Sequence, residues 1–427
     1  MTDSPHGLVR TIGRWSLTAL MVNSIVGVSI FKLPADLARN LGGWSPLSCV
    51  AAGAGILVIA GCIAEVSSRY EETGGLYLYA RDALGRFAGL LVAWMTWLTR
   101  IAAPAAAANL VWTYSAKFFP RLESGPGKFI VLFLLIGHLA LFNYFGVKTG
   151  KHLSNFFTTV KVGFLLAFVF AGCWALLARP DLRVSFTLPV VSAKTWFLTM
   201  LLLVYAYGGF EGALFVGGES TNPKRDTPIA LLLALGMVCL IYTAVQYVTI
   251  ATLPGAGMST RPLADAAQRF VGARGAAAIA MAALISGYGY LTANMLHAPR
   301  LTYALAQQGD FPAFLGIVHP KYRTPYASIL VYAALVFLFA LIGNFQWNAL
   351  LSAASRLSVY GAMALAVPVL RNRNDGKAKF LLPAPYLFAG LGILFSLVLA
   401  TRMGRSEFVV IGMTSVIALV NWAVVRR

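Results

Sequence analysis

Apolar stretches of about 20 residues follow one another along the chain, separated by short polar connections. A helix of that length crosses ~30 Å of hydrocarbon, so each stretch predicts a membrane-spanning helix, about twelve in all. They fall near residues 17–40, 44–68, 87–118, 129–145, 154–177, 195–218, 229–253, 276–307, 328–342 and 347–370, with two more after the basic stretch RNRNDGKAK. The connection RYEETGGLYLYARDALG is amphipathic and predicts a helix lying in the interface. STNPKRDTP, basic and bounded by prolines, predicts a cytoplasmic loop.

Two of these segments break the rules of a membrane helix. The first carries NSIVGVSIFKLP, which predicts an interruption near Gly27, with Pro34 terminating or kinking the outer half. The sixth carries YAYGGFEGALFVGGE, where Gly208 and Gly209 loosen the backbone and Glu211 places a carboxylate at a depth where charge is expensive. Irregular backbone at membrane depth survives only where it is buried in protein or lines a watery cavity. The breaks stand five helices apart, the pattern of two inverted five-helix repeats with a binding site at their interface. An odd number of helices per repeat turns the second copy upside down. At the first break, Gly27, Val28 and Ser29 free backbone N–H groups at the positive end of a half-helix, a place suited to a carboxylate. At the second, carbonyls from Tyr205 to Gly208 can accept from an ammonium. Together the two breaks describe a receptor for an α-amino acid.

Composition narrows the class. Of the 427 residues 59% are hydrophobic and 11% charged, with a mean hydropathy of +0.74, far from the roughly 25% charged residues of soluble domains. The net charge of +19 comes from 34 basic residues scattered in short loops, with no basic helix or arm for a nucleic acid. It reads as membrane topology, with a modest bias that places both termini in the cytoplasm of an inner-membrane protein. Cys49, Cys62, Cys173 and Cys239 lie inside apolar segments and read as packing residues, not as a disulfide framework or metal site. The first segment has no A-x-A-like cleavage site after it and reads as a retained helix. The histidines are dispersed, and HExxH, GxSxG and Walker-type loops do not occur, which argues against an enzyme and against a metal, nucleotide or prosthetic group.

Charges inside the segments need a partner or a purpose. A mid-membrane lysine such as Lys161 costs ~2.5–3.5 kcal/mol on insertion scales. It reads either as a fixed structural cation on carbonyls of the first break or as a carrier of a coupled proton. Arg100 cannot shed its charge, so it either pairs with Glu211 across the cavity or selects an acidic or carbonyl-bearing substrate through its fork. Glu219 suits a helix-end or gate ion pair, and Arg356, with Ser352 and Ser355, lines the cavity or snorkels. In the eighth segment Tyr288, Tyr290, Thr292 and Asn294 are polar, and Thr292 is the candidate to face Lys161.

GVSIF followed by LP, GGLYLY, AYGGFE and GGESTNPKRDTPIAL, in this order and spacing, resemble the amino acid–polyamine–organocation (APC) transporters, particularly their bacterial amino acid permeases. The resemblance covers nearly the whole chain. It implies an all-α polytopic fold like that of the leucine transporter: a five-plus-five inverted repeat over residues 1–178 and 194–371, with two further helices in 380–427. It also implies that Gly27, Val28 and Ser29 match the carboxylate-binding segment, where the family commonly has Gly-Ser-Gly. Ile25 matches a position whose carbonyl faces the substrate amine. Tyr205 matches the aromatic gate, with Tyr207 and Gly208 as backbone neighbours. Arg100 matches a polar substrate-facing position of some relatives, and Glu211 an acidic position that in some senses protons. Lys161 resembles a lysine standing where sodium-coupled relatives hold a cation. The function so implied is sodium-independent amino acid transport by alternating access, as proton symport or exchange, by a monomer or homodimer in the lipid bilayer. A polyamine or organocation carrier, or a membrane amino acid sensor, is the competing reading.

Overall fold

In the computed structural model, which describes residues 13–70, 75–123, 125–146, 151–214, 220–373 and 378–425, the chain is all-helical. Glu219, read from sequence as a helix-end residue, lies outside the described residues. The helices are α1 (Arg14–Ile25), α2 (Leu33–Leu41), α3 (Ser45–Ser67), α4 (Gly75–Leu84), α5 (Arg86–Ser115), α6 (Gly125–Tyr144), α7 (Lys151–Ala178) and α8 (Ala193–Tyr207). There follow α9 (Phe210–Leu214), α10 (Pro223–Thr252), α11 (Pro262–Phe270), α12 (Ala273–Gln307), α13 (Tyr326–Ile342), α14 (Phe345–Asn372), α15 (Pro385–Ala400) and α16 (Arg405–Val425). Among the described residues, eight helical stretches are long and apolar enough to cross a membrane, and α13 and α15 are shorter apolar helices. The protein is therefore a multi-pass membrane protein. One of the eight, Leu33–Ser67, runs through Gly42, whose φ of +54° turns the chain between α2 and α3.

Both interruptions expected from sequence are present, and two boundaries differ from expectation. Pro34 starts a helix instead of ending one: it sits in the first turn of α2, where its missing N–H has no partner to lose. PKRDTP is not a loop but the opening of α10, with Pro223 in the first turn and Asp226 near the positive helix end. Asp226 there meets Arg14 of α1 at 2.8 Å, tying the starts of the two helices together.

The core is built by α14 lying along α5, α10 along α3 and α1 along α10, with α8 packed against α14. Small residues on α5, Ala102 to Ala108 around Pro104, are all but fully buried and let neighbouring helices approach closely. Around the helix ends on the Arg14 side, ion pairs and hydrogen bonds fasten the short elements. The buried Glu65 of α3 holds Arg371 of α14 at 2.6 Å and accepts from the Leu382 N–H at 2.9 Å. Tyr77 of α4 donates to Asp310, which Arg81 and Arg86 approach at 3.6 and 3.5 Å. Burial, and then that hydrogen bond, pushes the Tyr77 phenol up to about 12, so it keeps its proton and remains a donor.

Candidate functional site

The first break is a true gap in the helical ladder. α1 stops at Ile25, Val26 closes on the Val22 carbonyl, and a single 3₁₀ turn at Ser29–Phe31 leads into α2. The N–H groups of Gly27, Val28 and Ser29 lie in this gap, outside both helices. The second break has a different geometry. α8 ends at Tyr207, Gly208 is extended (φ −75°, ψ 165°), and Gly209 takes φ +119°, which strains any residue with a side chain. The two gaps touch: a Cβ on Gly209 would stand 2.3 Å from the Ser24 carbonyl oxygen, so only glycine lets α9 start against the end of α1.

Tyr242 of α10 joins the gaps from behind. Its buried hydroxyl lies 3.2 Å from both the Ile25 and the Ala206 carbonyls, the last turns of α1 and α8. Tyr114 of α5 does similar work one turn outward, donating to Phe31 O at 2.7 Å. From the other side Lys161 of α7, buried in the structure, donates its ammonium to the Asn23 carbonyl. These three side chains satisfy carbonyls that the helix breaks leave without backbone partners, which is how an irregular segment survives inside a membrane protein.

A small cavity opens where the gaps meet, lined by Ser24, Ile25, Gly27, Val28, Ser29, Tyr205, Gly208, Tyr290 and Arg356. Backbone of the first break forms one wall. The ring of Tyr205, edge-on to Phe345 at 5.9 Å, forms part of the other. Arg356 enters from α14: its Nη1 donates to the Tyr205 carbonyl at 3.2 Å and its Nε lies 3.4 Å from Glu211 Oε1. Glu211 is held on all sides, by Arg356, by the Tyr360 hydroxyl and by the Gly209 N–H at 2.6 Å. A buried guanidinium requires such partners, and Glu211 with the Tyr205 carbonyl supplies two.

Six of the residues assigned from sequence to substrate binding, gating or coupling, Ile25, Gly27, Val28, Ser29, Tyr205 and Gly208, line this cavity together. Five do not. Tyr207 turns its side chain toward α3, where its hydroxyl donates to Cys49 O at 2.8 Å. Lys161 reaches the carbonyl of the residue preceding the lining Ser24. The Thr292 hydroxyl donates to the Tyr288 carbonyl of its own helix. Glu211, read from sequence as the partner of Arg100, pairs with Arg356 of α14, and Arg100 lies within electrostatic reach of the same carboxylate. Arg100 sits nearby on α5, its carbonyl accepting from Tyr332 at 2.8 Å. Ser24 and Tyr242 entered the site without a sequence signal of their own. Arg356 had one, an arginine mid-segment, but its reach depends on helix phase.

Two helix breaks meet at one small cavity inside a multi-pass bundle, an arrangement that membrane carriers use for a small polar molecule. The sequence profile described as "Amino acid permease" matches residues 12–422, and the chain belongs to that family. It is similar to the methylthioribose transporter of Bacillus subtilis, at 26% identity over 91% of this chain and 88% of that protein. A serine/threonine exchanger of the same organism is 26% identical over 89% of this chain and 87% of its own. A branched-chain amino acid permease, also from Bacillus subtilis, is 25% identical over 94% of this chain and 90% of its length.

Proposed function

We propose that this permease is a secondary amino acid transporter of the inner membrane, sodium-independent, working by alternating access as a proton symporter or an amino acid exchanger. The observation that carries this is the cavity between the two breaks. Backbone donors of the Gly27–Ser29 gap suit a carboxylate, and the Ile25 and Tyr205 carbonyls suit an ammonium, so both ends of an α-amino acid find partners within one small space. Family membership and the relatives that exchange serine and threonine or carry branched-chain amino acids support the same substrate class.

In this reading α1–α2, α3, α5, α6, α7, α8–α9, α10, α12, α13, α14, α15 and α16 make twelve spans with both termini cytoplasmic. Residues 1–178 and 194–371 are the inverted repeats, and 380–427 the last two helices. α1–α3 and α8–α10 move as a bundle against a scaffold of α5, α6, α12 and α13. Lys161 places an ammonium on the first break where sodium-coupled relatives would hold a cation, which removes the need for sodium and offers a proton carrier.

Counterflow into proteoliposomes loaded with an amino acid mixture tests the reading. The expected result is saturable, trans-stimulated uptake that is unchanged when choline replaces sodium. Uptake that needs a sodium gradient overturns the sodium-independent part, and absence of trans-stimulated flux for every amino acid overturns the transport assignment.

A further inference from the structure

The charges around the cavity are not balanced at its wall. Arg356 is the only charged residue among the described residues that line it. Glu211, its carboxylate partner, stands behind it with both oxygens engaged, Oε1 by Tyr360 and Arg356 and Oε2 by the Gly209 N–H. Lys161 adds a second cation one residue beyond the lining, on Asn23, and Arg100 lies within electrostatic reach of Glu211, Tyr290 and Arg356. A ligand in this space therefore meets cations first. In a poorly screened interior that decides which side chains are admitted.

The position of the guanidinium sharpens the point. Its Nη1 occupies the Tyr205 carbonyl, one of the two carbonyls assigned above to a substrate ammonium. A neutral amino acid brings an ammonium that must compete with a tethered cation for the same oxygen. A cationic side chain adds a second like charge. An acidic side chain instead brings a carboxylate, whose two oxygens match the fork of the guanidinium. Pairing with it draws Arg356 off the Tyr205 carbonyl and leaves that oxygen to the ligand's own ammonium.

We infer that the site takes amino acids with an anionic side chain, of the aspartate and glutamate type, and that Arg356 is the residue that selects them. This rests on the cavity being the substrate site of a transporter. The test is counterflow by the purified protein in proteoliposomes with labelled glutamate, aspartate, serine, leucine and arginine. Wild type is compared with Arg356→Gln and with Arg356→Gln/Glu211→Gln, which removes both charges together and so leaves no carboxylate buried without its partner.

Wild type is expected to exchange glutamate or aspartate without competition from arginine. In both variants the preference for acidic over neutral substrates is expected to fall on the order of a hundredfold. Exchange of serine, leucine or arginine by wild type, with both acidic amino acids inert, overturns the inference and leaves the transport reading standing. Acidic exchange with unaltered selectivity in both variants overturns the role given to Arg356. No exchange of any amino acid overturns the transport reading, and the inference with it.

Discussion

Gly208→Ala is the smallest change that probes whether the Arg356 guanidinium is fixed. The backbone there is no obstacle, since φ −75° and ψ 165° are ordinary for alanine. The obstacle is space: the new Cβ would lie 1.2 Å from Arg356 Nη1, so the guanidinium must leave the Tyr205 carbonyl. A hydrogen bond from a charged donor is worth about 1.5–3 kcal/mol. Displacement also disturbs the 3.4 Å contact with Glu211, part of a buried pair whose disruption costs about 3–5 kcal/mol. A total of about 4.5–8 kcal/mol follows if both contacts are lost. Over 427 residues, an unfolding entropy of roughly 2.1 cal/mol/K per residue gives about 0.9 kcal/mol/K, so the apparent Tm falls by about 5–9 °C. In an Arg356→Gln background the obstruction is gone. There the same substitution is expected to be neutral, or stabilising by about 0.4–1 kcal/mol through the unfolded chain, so the sign of the effect reverses. Thermal unfolding of the four proteins in one detergent completes the cycle. A Gly208→Ala variant as stable as wild type refutes a pinned guanidinium.

Tyr242→Phe removes the hydroxyl that serves the Ile25 and Ala206 carbonyls. A loss of about 2 kcal/mol of stability and roughly tenfold weaker substrate binding are expected by thermal shift and by titration with labelled substrate, and wild-type values in both contradict the strapping role. Lys161→Ala takes the ammonium from the Asn23 carbonyl. Accumulation driven by an inward pH gradient is expected to disappear in proteoliposomes, and accumulation at the wild-type rate removes the proton role.

The breaks were legible in sequence because glycine and proline act locally. Gly208 and Gly209 inside an apolar stretch, and Gly27 ahead of Pro34, mark irregular backbone whatever the rest of the chain does. Ionisable residues inside apolar segments were equally visible, and Lys161, Arg100, Glu211 and Arg356 all stand out against their neighbours. Their pairing was not visible. Most faces of these helices are apolar, so periodicity does not fix which way a residue points, and that Arg356 of α14 also reaches Glu211 could not be read from spacing. Tyr242 left no trace for a related reason: a tyrosine in an apolar helix is ordinary, and its function depends on two carbonyls brought to it from α1 and α8. Pro34 and PKRDTP misled because proline has the same local signature before a helix as after one.

Transport through this site requires substrate to occupy the space between the two breaks. Ser24 lines that space, and Cys173 is the one exposed native cysteine. In a Cys173→Ser background, the measurement is the rate at which a small thiol reagent modifies Ser24→Cys, with and without the transported amino acid. Saturating substrate is predicted to slow modification at least tenfold, with a half-maximal concentration equal to that for transport. A rate that substrate leaves unchanged, in a variant that still transports, contradicts the placement of the site.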